Sequence, residues 1–249
     1  MIKVLGSSSK GNCYLIESGD QVLILECGLR LSEIKKGLDF DFSKVVGCLV
    51  SHYHKDHAFA VKELIDKQAI KVYAPGEVFE KANIPIGRKA INISKLKFFK
   101  IGEFTIAPFN NFHKDYITGE DVECYSYLIF HQEIGEILFS TDTCILNTRP
   151  RRAKVMMLEC NYSLKLLESD TEDVEGVEGH VVRIIESHMS VETLLKTLEK
   201  WQELGSLDET EKIILIHTST KYGDPEFFKY QVQALTGIET IIATRGLEI

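Results

Sequence analysis

The sequence of 249 residues lacks several features that define other classes of protein. Its apolar runs are far shorter than the roughly 20 residues that cross a bilayer, and its first residues show no signal-peptide pattern. Its 29 Lys and Arg against 37 Asp and Glu give a net charge of −8, which argues against wrapping a long nucleic acid. Its six cysteines include no CxxC pair and predict scattered reduced thiols. Together these absences predict a cytoplasmic protein without a membrane partner.

What is present is typical of a folded α/β chain. Apolar residues make up 44% and charged residues 27%, and no linker or repeat divides residues 1–249, so we expect a single domain. Short β-branched and apolar runs predict strands at residues 2–5, 14–17, 22–25, 45–50, 72–74, 95–100, 104–109, 125–130, 136–140, 155–158 and 213–216. Helical spacing predicts helices at residues 58–67, after Ser190, and at 225–235, while the acidic stretch 168–178 predicts a solvated loop.

The most informative segment is Ser51-His52-Tyr53-His54-Lys55-Asp56-His57. It follows a predicted buried strand and precedes a predicted helix, so it forms a loop held by two rigid elements, where functional sites are commonly built. Imidazole and carboxylate groups are ligands that Zn²⁺ and similar metals favour. Four such groups within six residues have no structural explanation, and the segment therefore predicts a metal site.

This motif resembles that of the metallo-β-lactamase-fold hydrolases. Three further elements stand in the order of that family: Phe112-His113, Phe139-Ser140-Thr141-Asp142-Thr143 and Leu215-Ile216-His217-Thr218-Ser219. The second has Thr141 where the family has glycine. The resemblance covers nearly the whole chain and implies an αββα sandwich.

The resemblance also implies two divalent metal ions, Zn²⁺ or Mn²⁺. The first would be held by His52, His54 and His113, and the second by Asp56, His57 and His217. Asp142 would bridge both ions, and Asp56 is in addition assigned to catalysis. Two such ions can share a hydroxide and stabilise the attacking and leaving oxygens of an in-line displacement. Because the imidazoles are neutral, the site stays cationic and suits a small anionic phosphodiester.

A second resemblance narrows the branch of the family. Residues 186–190, which contain His188, are similar to an element of tRNase Z whose histidine donates a proton to the leaving oxygen. Glu159 matches the glutamate that orients this histidine. A carboxylate partner raises an imidazole pKa, which suits a general acid near neutral pH. Two other interpretations stay open, with Glu159 as a solvated strand-end acid and His188 as a surface residue at the start of a helix.

The stretch Gly6-Ser7-Ser8-Ser9-Lys10-Gly11-Asn12-Cys13-Tyr14 resembles the YycJ-like hydrolases and the phage anti-Pycsar phosphodiesterases. It either contacts phosphate through backbone N–H groups or simply connects two strands. Glu26 stands where the family has aspartate, which leaves open whether it supports the histidine loop. His131 and His180 match no family element, and we expect both at the surface.

The sequence therefore predicts a metal-dependent phosphodiesterase that hydrolyses a small cyclic nucleotide with a metal-bound hydroxide. The acidic charge and the absence of a long basic insertion favour a small substrate. The main alternative is a tRNase Z-like or YycJ-like nuclease acting on RNA or DNA. A binding protein that has lost catalysis and a β-lactam or thioester hydrolase are weaker alternatives, because all seven ligand positions are filled and the His188–Glu159 pair is present. The resemblance also implies a homodimer.

Overall fold

The computed structural model describes residues 1–115, 118–169 and 178–249, and these form two sheets with helices. The strands of the six-stranded sheet run in the order β1 to β6: β1 (Ile2–Gly6), β2 (Cys13–Ser18), β3 (Gln21–Leu25), β4 (Val45–Leu49), β5 (Val72–Ala74) and β6 (Ala90–Asn92). The strands of the seven-stranded sheet run in the order β13 to β7: β13 (Glu239–Ile242), β12 (Lys212–Ile216), β11 (Ala153–Glu159), β10 (Gly135–Ser140), β9 (Cys124–His131), β8 (Phe104–Asn111) and β7 (Phe99–Ile101).

The helices connect these strands along the chain. They are α1 (Leu31–Gly37), α2 (Lys55–Ala58), α3 (Val61–Gln68), α4 (Gly76–Lys81), α5 (Leu164–Ser169), α6 (Glu178–Ser187), α7 (Val191–Glu203) and α8 (Pro225–Thr236). The combination of helices with two sheets confirms the predicted α/β class.

The chain divides into two compact units, which are described separately. Unit 1 comprises Met1–Pro108, Ile129–Gly135 and Ala243–Ile249, and unit 2 comprises Phe109–Leu128 and Glu136–Ile242. The single domain 1–249 stays a prediction.

In unit 1, strands β1, β2 and β3 form an antiparallel meander, and β3 to β6 then pair in parallel. Leu25 pairs with Leu49, so the carboxyl ends of β3 and β4 are adjacent. Val61, Leu64 and Ile65 of α3 are buried in the same apolar core as the inner faces of these strands. This core fixes the loop that follows β4.

In unit 2, strands β10, β11, β12 and β13 are parallel neighbours. Ser140 pairs with Leu158, and Glu159 pairs with Ile216. The amphipathic helices α7 and α8 bury residues such as Leu194 and Phe228 in the core of this unit. Three consecutive parallel strands therefore deliver their carboxyl ends to one edge, where side chains from different strands can meet.

Most predicted elements are confirmed with small changes at their ends. The predicted helix 58–67 is wrong in detail, because α2 and α3 are separate helices on either side of Phe59 and Ala60. The predicted strand 95–100 begins only at Phe99. Helices α1, α5 and α6 and strands β6 and β13 were not predicted. The predicted acidic loop 168–178 is helical at Glu168 and Glu178, and residues 170–177 lie outside the described residues.

The expectation of reduced cysteines is met. None of the six cysteines forms a disulfide, and burial raises the pKa of the Cys13 and Cys160 thiols well above its ordinary value, so both stay protonated. Within the described part of the chain, every helix is too short or too polar to traverse a bilayer.

Candidate active site

The loop after β4 gathers histidines in unit 1. His52 and His57 are buried, and their ring centroids are 4.3 Å apart. The rings of His52 and His54 are 4.6 Å apart. The Nε2 atom of His57 lies 3.3 Å from Oδ2 of Asp56. The loop and the short helix α2 therefore turn the predicted ligands towards one another instead of spreading them over the surface.

Glu26 supports this loop from the end of β3. Its two carboxylate oxygens accept the backbone N–H of Ser51 at 3.1 and 3.3 Å, and Oε2 lies 3.6 Å from Nδ1 of His57. Burial raises the pKa of Glu26 although His57 and Ser51 act in the opposite direction. The residue has a φ of 62°, a conformation that non-glycine residues rarely adopt. The question left open by the sequence is thus answered, since Glu26 does contact the histidine loop.

The backbone of this loop is held at very close range. Cys27 donates its N–H to the carbonyl of His57 at 2.8 Å. A Cβ atom on Gly28 would lie 1.6 Å from the carbonyl oxygen of Asp56. Only glycine fits at this position, because no side chain could share that space.

Unit 2 brings together residues from three parallel strands. Asp142 follows β10, Glu159 is the last residue of β11, and His217 follows β12. Asp142 has a φ of 49° and His217 a φ of 53°. Asn161 helps to hold the second conformation, because its amide donates to the carbonyl of His217 at 2.8 Å. Such left-handed residues away from glycine cluster at functional sites.

Glu159 is the centre of the hydrogen bonds in this cluster. Its Oε1 atom lies 2.7 Å from Nδ1 of His188 and 3.0 Å from Nδ1 of His217. Its Oε2 atom accepts the backbone N–H groups of Thr143 at 3.1 Å and Met189 at 3.3 Å. Burial favours the neutral acid, but attraction and hydrogen bonds from the two histidines outweigh it and lower the pKa of Glu159. The interpretation of Glu159 as a solvated acid is wrong, since it is 1% exposed.

His188 is the partly accessible member of this cluster, with its side chain 23% exposed. Burial is the largest single influence and lowers its pKa, but the carboxylates of Glu159 and Asp142 together raise the pKa more, so the net shift is upward. The hydrogen bond to Glu159 places a proton on Nδ1 and leaves Nε2 as the atom that can exchange a proton with a substrate.

His113 belongs to the same unit and is buried. Its Nδ1 atom lies 3.2 Å from the carbonyl oxygen of Ser187, which can only accept, so Nδ1 carries the proton. The hydroxyl of Ser187 donates to the carbonyl of Lys114 at 3.1 Å. These contacts fix the ring in the tautomer whose Nε2 can bind a metal.

The donor atoms of unit 2 meet the requirements of a divalent cation. Asp142, Glu159, His188 and His217 each offer one ligand atom, and these atoms lie within 4.8 Å of one another. His217 Nδ1 is 3.1 Å from Asp142 Oδ1, and Thr141 donates to the same oxygen at 2.6 Å. Carboxylates and imidazoles are ligands of the kind that Zn²⁺ and Mn²⁺ bind, so Asp142 and His217 fit a metal, whereas His188 and Glu159 are bonded to each other at 2.7 Å.

The predicted site residues therefore fall into two groups. Unit 1 contains His52, His54, Asp56 and His57, and unit 2 contains His113, Asp142, Glu159, His188 and His217. The sequence did not predict the supporting contacts of Ser51, Thr141, Asn161 and Ser187. Each of them neighbours a predicted site residue, or in the case of Asn161 follows Glu159 by two positions, and this proximity is the signal that could have found them.

His131 was placed wrongly at the surface. It is 2% exposed, with Nδ1 2.8 Å from the hydroxyl of Ser18 and Nε2 3.4 Å from the carboxylate of Glu103. These polar partners come from β2 and from the β7–β8 turn, and they make burial of the ring possible. The side chain of His180 lies outside the described residues.

Comparison with known proteins agrees with this geometry. The sequence model of the metallo-beta-lactamase superfamily matches residues 8–198. An exodeoxyribonuclease YycJ of Bacillus anthracis is 25% identical over 177 residues, which is 66% of this chain and 64% of that protein, so the match spans less than two thirds of the relative.

Solved structures show the same fold. The metallo-beta-lactamase fold protein YhfI from Bacillus subtilis superposes with a TM-score of 0.70 at 18% identity, covering 99% of this chain and 97% of that one. The short form of human tRNase Z superposes with a TM-score of 0.60 at 12% identity, with coverages of 99% and 97%. The family model spans well over half of the chain and includes the histidine loop, Asp142, Glu159 and His188. The protein that carries these clusters thus belongs to the metallo-beta-lactamase superfamily.

Proposed function

We propose that this hydrolase is a phosphodiesterase that acts on a small cyclic nucleotide. We propose also the metal ligands predicted from the sequence, with His52, His54 and His113 for one ion, Asp56, His57 and His217 for the other, and Asp142 for both. When bound, two divalent ions of this kind supply an activated water and neutralise phosphate charge.

The observation that carries the proposal is the pair formed by His188 and Glu159. An alkoxide leaving group needs a proton, and a partly exposed imidazole held by a buried carboxylate is suited to donate one. With Nδ1 donating to Glu159 at 2.7 Å, Nε2 of the imidazolium is the atom that gives its proton to the leaving oxygen. Glu159 then stays ionised and stabilises the charged form of His188 before transfer.

Supporting this assignment, the same Glu159 oxygen contacts His217, a predicted metal ligand. The proton donor and the ligand are thus fixed by one carboxylate. Such an arrangement keeps the donor at a constant position relative to Asp142, whose Oδ2 atom is 4.0 Å from Nδ1 of His188. The resemblance of the His188–Glu159 pair to that of tRNase Z favours a phosphodiester over a β-lactam as the substrate.

We propose a small substrate because of the net negative charge of the chain. The net charge of −8 disfavours a long polynucleotide.

The second candidate is a nuclease, which is favoured by the similarity to a protein named as an exodeoxyribonuclease. Zn²⁺ and Mn²⁺ are both compatible with the ligands.

The decisive experiment is a substrate panel. Metal-loaded protein is incubated with 3′,5′-cyclic mononucleotides, single-stranded DNA and pre-tRNA, and products are separated by chromatography. We expect ring opening of a cyclic mononucleotide. Cleavage of the polynucleotides alone would reject the cyclic nucleotide and support the nuclease.

We propose further that the protein is a homodimer, as the family resemblance implies. Sedimentation at micromolar concentration is expected to give twice the chain mass of 28.2 kDa. A sedimenting species with the mass of one chain would reject the dimer but would leave the proposed phosphodiesterase activity unaffected.

A further inference from the structure

Asn12 ends the loop between β1 and β2 and has no part in the ligand set above. It is 1% exposed. Its backbone N–H donates to the carbonyl of Asp56 at 2.7 Å, and its own carbonyl accepts the N–H of Gly28 at 2.9 Å. The N-terminal loop is therefore joined at this residue to the turn that carries Asp56 and His57.

The side chain of Asn12 reaches the two predicted ligands themselves. Its Nδ2 atom lies 3.2 Å from the carbonyl oxygen of Asp56, 3.4 Å from Oδ2 of Asp56 and 3.1 Å from Nε2 of His57. Two of these three partners are oxygens that only accept hydrogen bonds. The amide nitrogen, and not the amide oxygen, must therefore face this group of atoms.

This orientation favours one form of the imidazole. A donor directed at Nε2 of His57 favours a lone pair on that atom and therefore a ring proton on Nδ1, which lies 3.6 Å from the Glu26 carboxylate. Tyr14 contributes from the other end of the amide, with its hydroxyl 3.5 Å from Oδ1 of Asn12 and 2.8 Å from the hydroxyl of Ser7. Asn12 and Glu26 thus lie on opposite sides of one imidazole ring.

We propose that Asn12 is a positioning residue that holds the carboxylate of Asp56 and the imidazole of His57 ready to bind the second metal ion. The inference rests on the proposed function, since it concerns two of the proposed ligands. Nε2 has a single lone pair, so an ion held there would replace the Asn12 contact to His57, and the contacts of Asn12 to Asp56 would remain. Outer groups that orient metal ligands typically change metal affinity by about 10–100-fold when they are removed.

The test is a metal titration that separates the two ions. Wild-type protein, Asn12→Ala and Asn12→Leu are stripped with a chelator and titrated with Zn²⁺ in a calorimeter. Leucine keeps most of the asparagine volume but cannot donate, so it separates the hydrogen bonds from a packing defect. Asn147→Ala is the control, because that amide is exposed and donates to the backbone carbonyl of Asn110 at 3.3 Å. We expect both Asn12 variants to lose about 10–100-fold in affinity for one equivalent of Zn²⁺ and to keep the other.

A second readout reports the tautomer directly. In ¹⁵N-resolved NMR of the metal-free protein, we expect the His57 nitrogens of the wild type to show the Nδ1–H form and those of Asn12→Leu to shift towards a mixture. Unchanged affinity for both equivalents together with unchanged His57 shifts would overturn the inference. Equal weakening of both equivalents would also overturn it, because it would indicate a general structural role. A wild-type protein that binds fewer than two ions would instead reject the proposed metal centre.

Discussion

Glu26 and Glu159 are two buried glutamates with opposite behaviour. Both lie at the carboxyl end of a strand, both are almost inaccessible, at 0% and 1% exposure, and both contact predicted metal ligands. Nevertheless the pKa of Glu26 is raised and that of Glu159 is lowered.

Their partners account for the difference. Glu26 receives one backbone N–H and lies 3.6 Å from a single imidazole. Glu159 receives two backbone N–H groups and lies within 3.0 Å of two imidazoles. Burial acts in the same direction on both, so the number and proximity of partners decide the direction in which the pKa of each carboxyl group shifts. The histidine loop of unit 1 is therefore fixed mainly by backbone packing, and the cluster of unit 2 mainly by charge.

We expect the largest loss of activity from substitution of Asp142, because no other residue of the unit 2 cluster is proposed to contact both ions. Asp142→Ala removes the proposed shared ligand and the partner of the His217 imidazole at 3.1 Å. We expect activity to fall to background and metal content, measured by mass spectrometry, to decrease. Asp66→Ala, at an exposed position of α3, serves as the control. Full activity of the Asp142 variant would show that the shared-ligand assignment is wrong.

The next effect tests the packing of the histidine loop. In Gly28→Ala the new methyl group would lie 1.6 Å from the Asp56 carbonyl, so the turn must move. We expect a loss of about 3 kcal/mol in the free energy of unfolding, or about 6–12 °C in Tm, together with impaired metal binding. Gly87→Ala, whose nearest neighbour is 4.0 Å away, should leave both unchanged. A Gly28 variant with wild-type Tm and metal content would contradict the close packing described for this loop.

A third prediction concerns His188, whose substitution should leave the metal content unchanged. His188→Ala should lower kcat by about 10²–10⁴-fold, the usual contribution of general acid catalysis, with little change in KM. The loss should shrink for a nitrophenyl phosphodiester, because nitrophenolate leaves without a proton. Glu159→Gln should follow the same pattern more weakly. Equal losses on both substrates with reduced metal content would identify His188 as a ligand or a structural residue.

The candidate ligand residues can be indicated from the sequence because their information is local. Four of them lie within six residues after one strand, and the others stand directly after strands whose apolar pattern is clear. The hydrogen bonds that orient them are not local. Asn12 is 44 residues from Asp56, and Ser187 is 74 residues from His113. Asn and Ser occur in most loops, so residue type alone does not separate these positions from ordinary turns.

The predictions of an exposed His131 and of a continuous helix through residue 59 were wrong for the same reason. A histidine in a polar stretch is expected in water, and only the folded arrangement of Ser18 and Glu103 makes its burial possible. The apolar spacing of residues 58–67 is helical, but the turn that carries Asp56 and His57 uses a separate short helix, and α3 starts at Val61. Local periodicity contains no information on that break, which depends on the contact of Ala60 N–H with the carbonyl of Cys27 at 2.9 Å.

The smallest effect, and the most direct test of the two glutamates, is the pH dependence of stability in the chelated protein. A raised folded-state pKa means that Glu26 contributes stability below its unfolded pKa of about 4.5 and loses it as pH rises through the folded value. A lowered folded-state pKa means that Glu159 contributes stability above about pH 4.5 and loses it as pH falls through the folded value. Glu159→Gln should therefore destabilise most near neutral pH, and Glu26→Gln should destabilise least there. Denaturant unfolding between about pH 2 and pH 8, compared with wild type at each pH, gives the two slopes, about 1.4 kcal/mol per pH unit at most for one proton. Slopes of the same sign would mean that burial alone governs both carboxyl groups, and the contrast between the two clusters would fail.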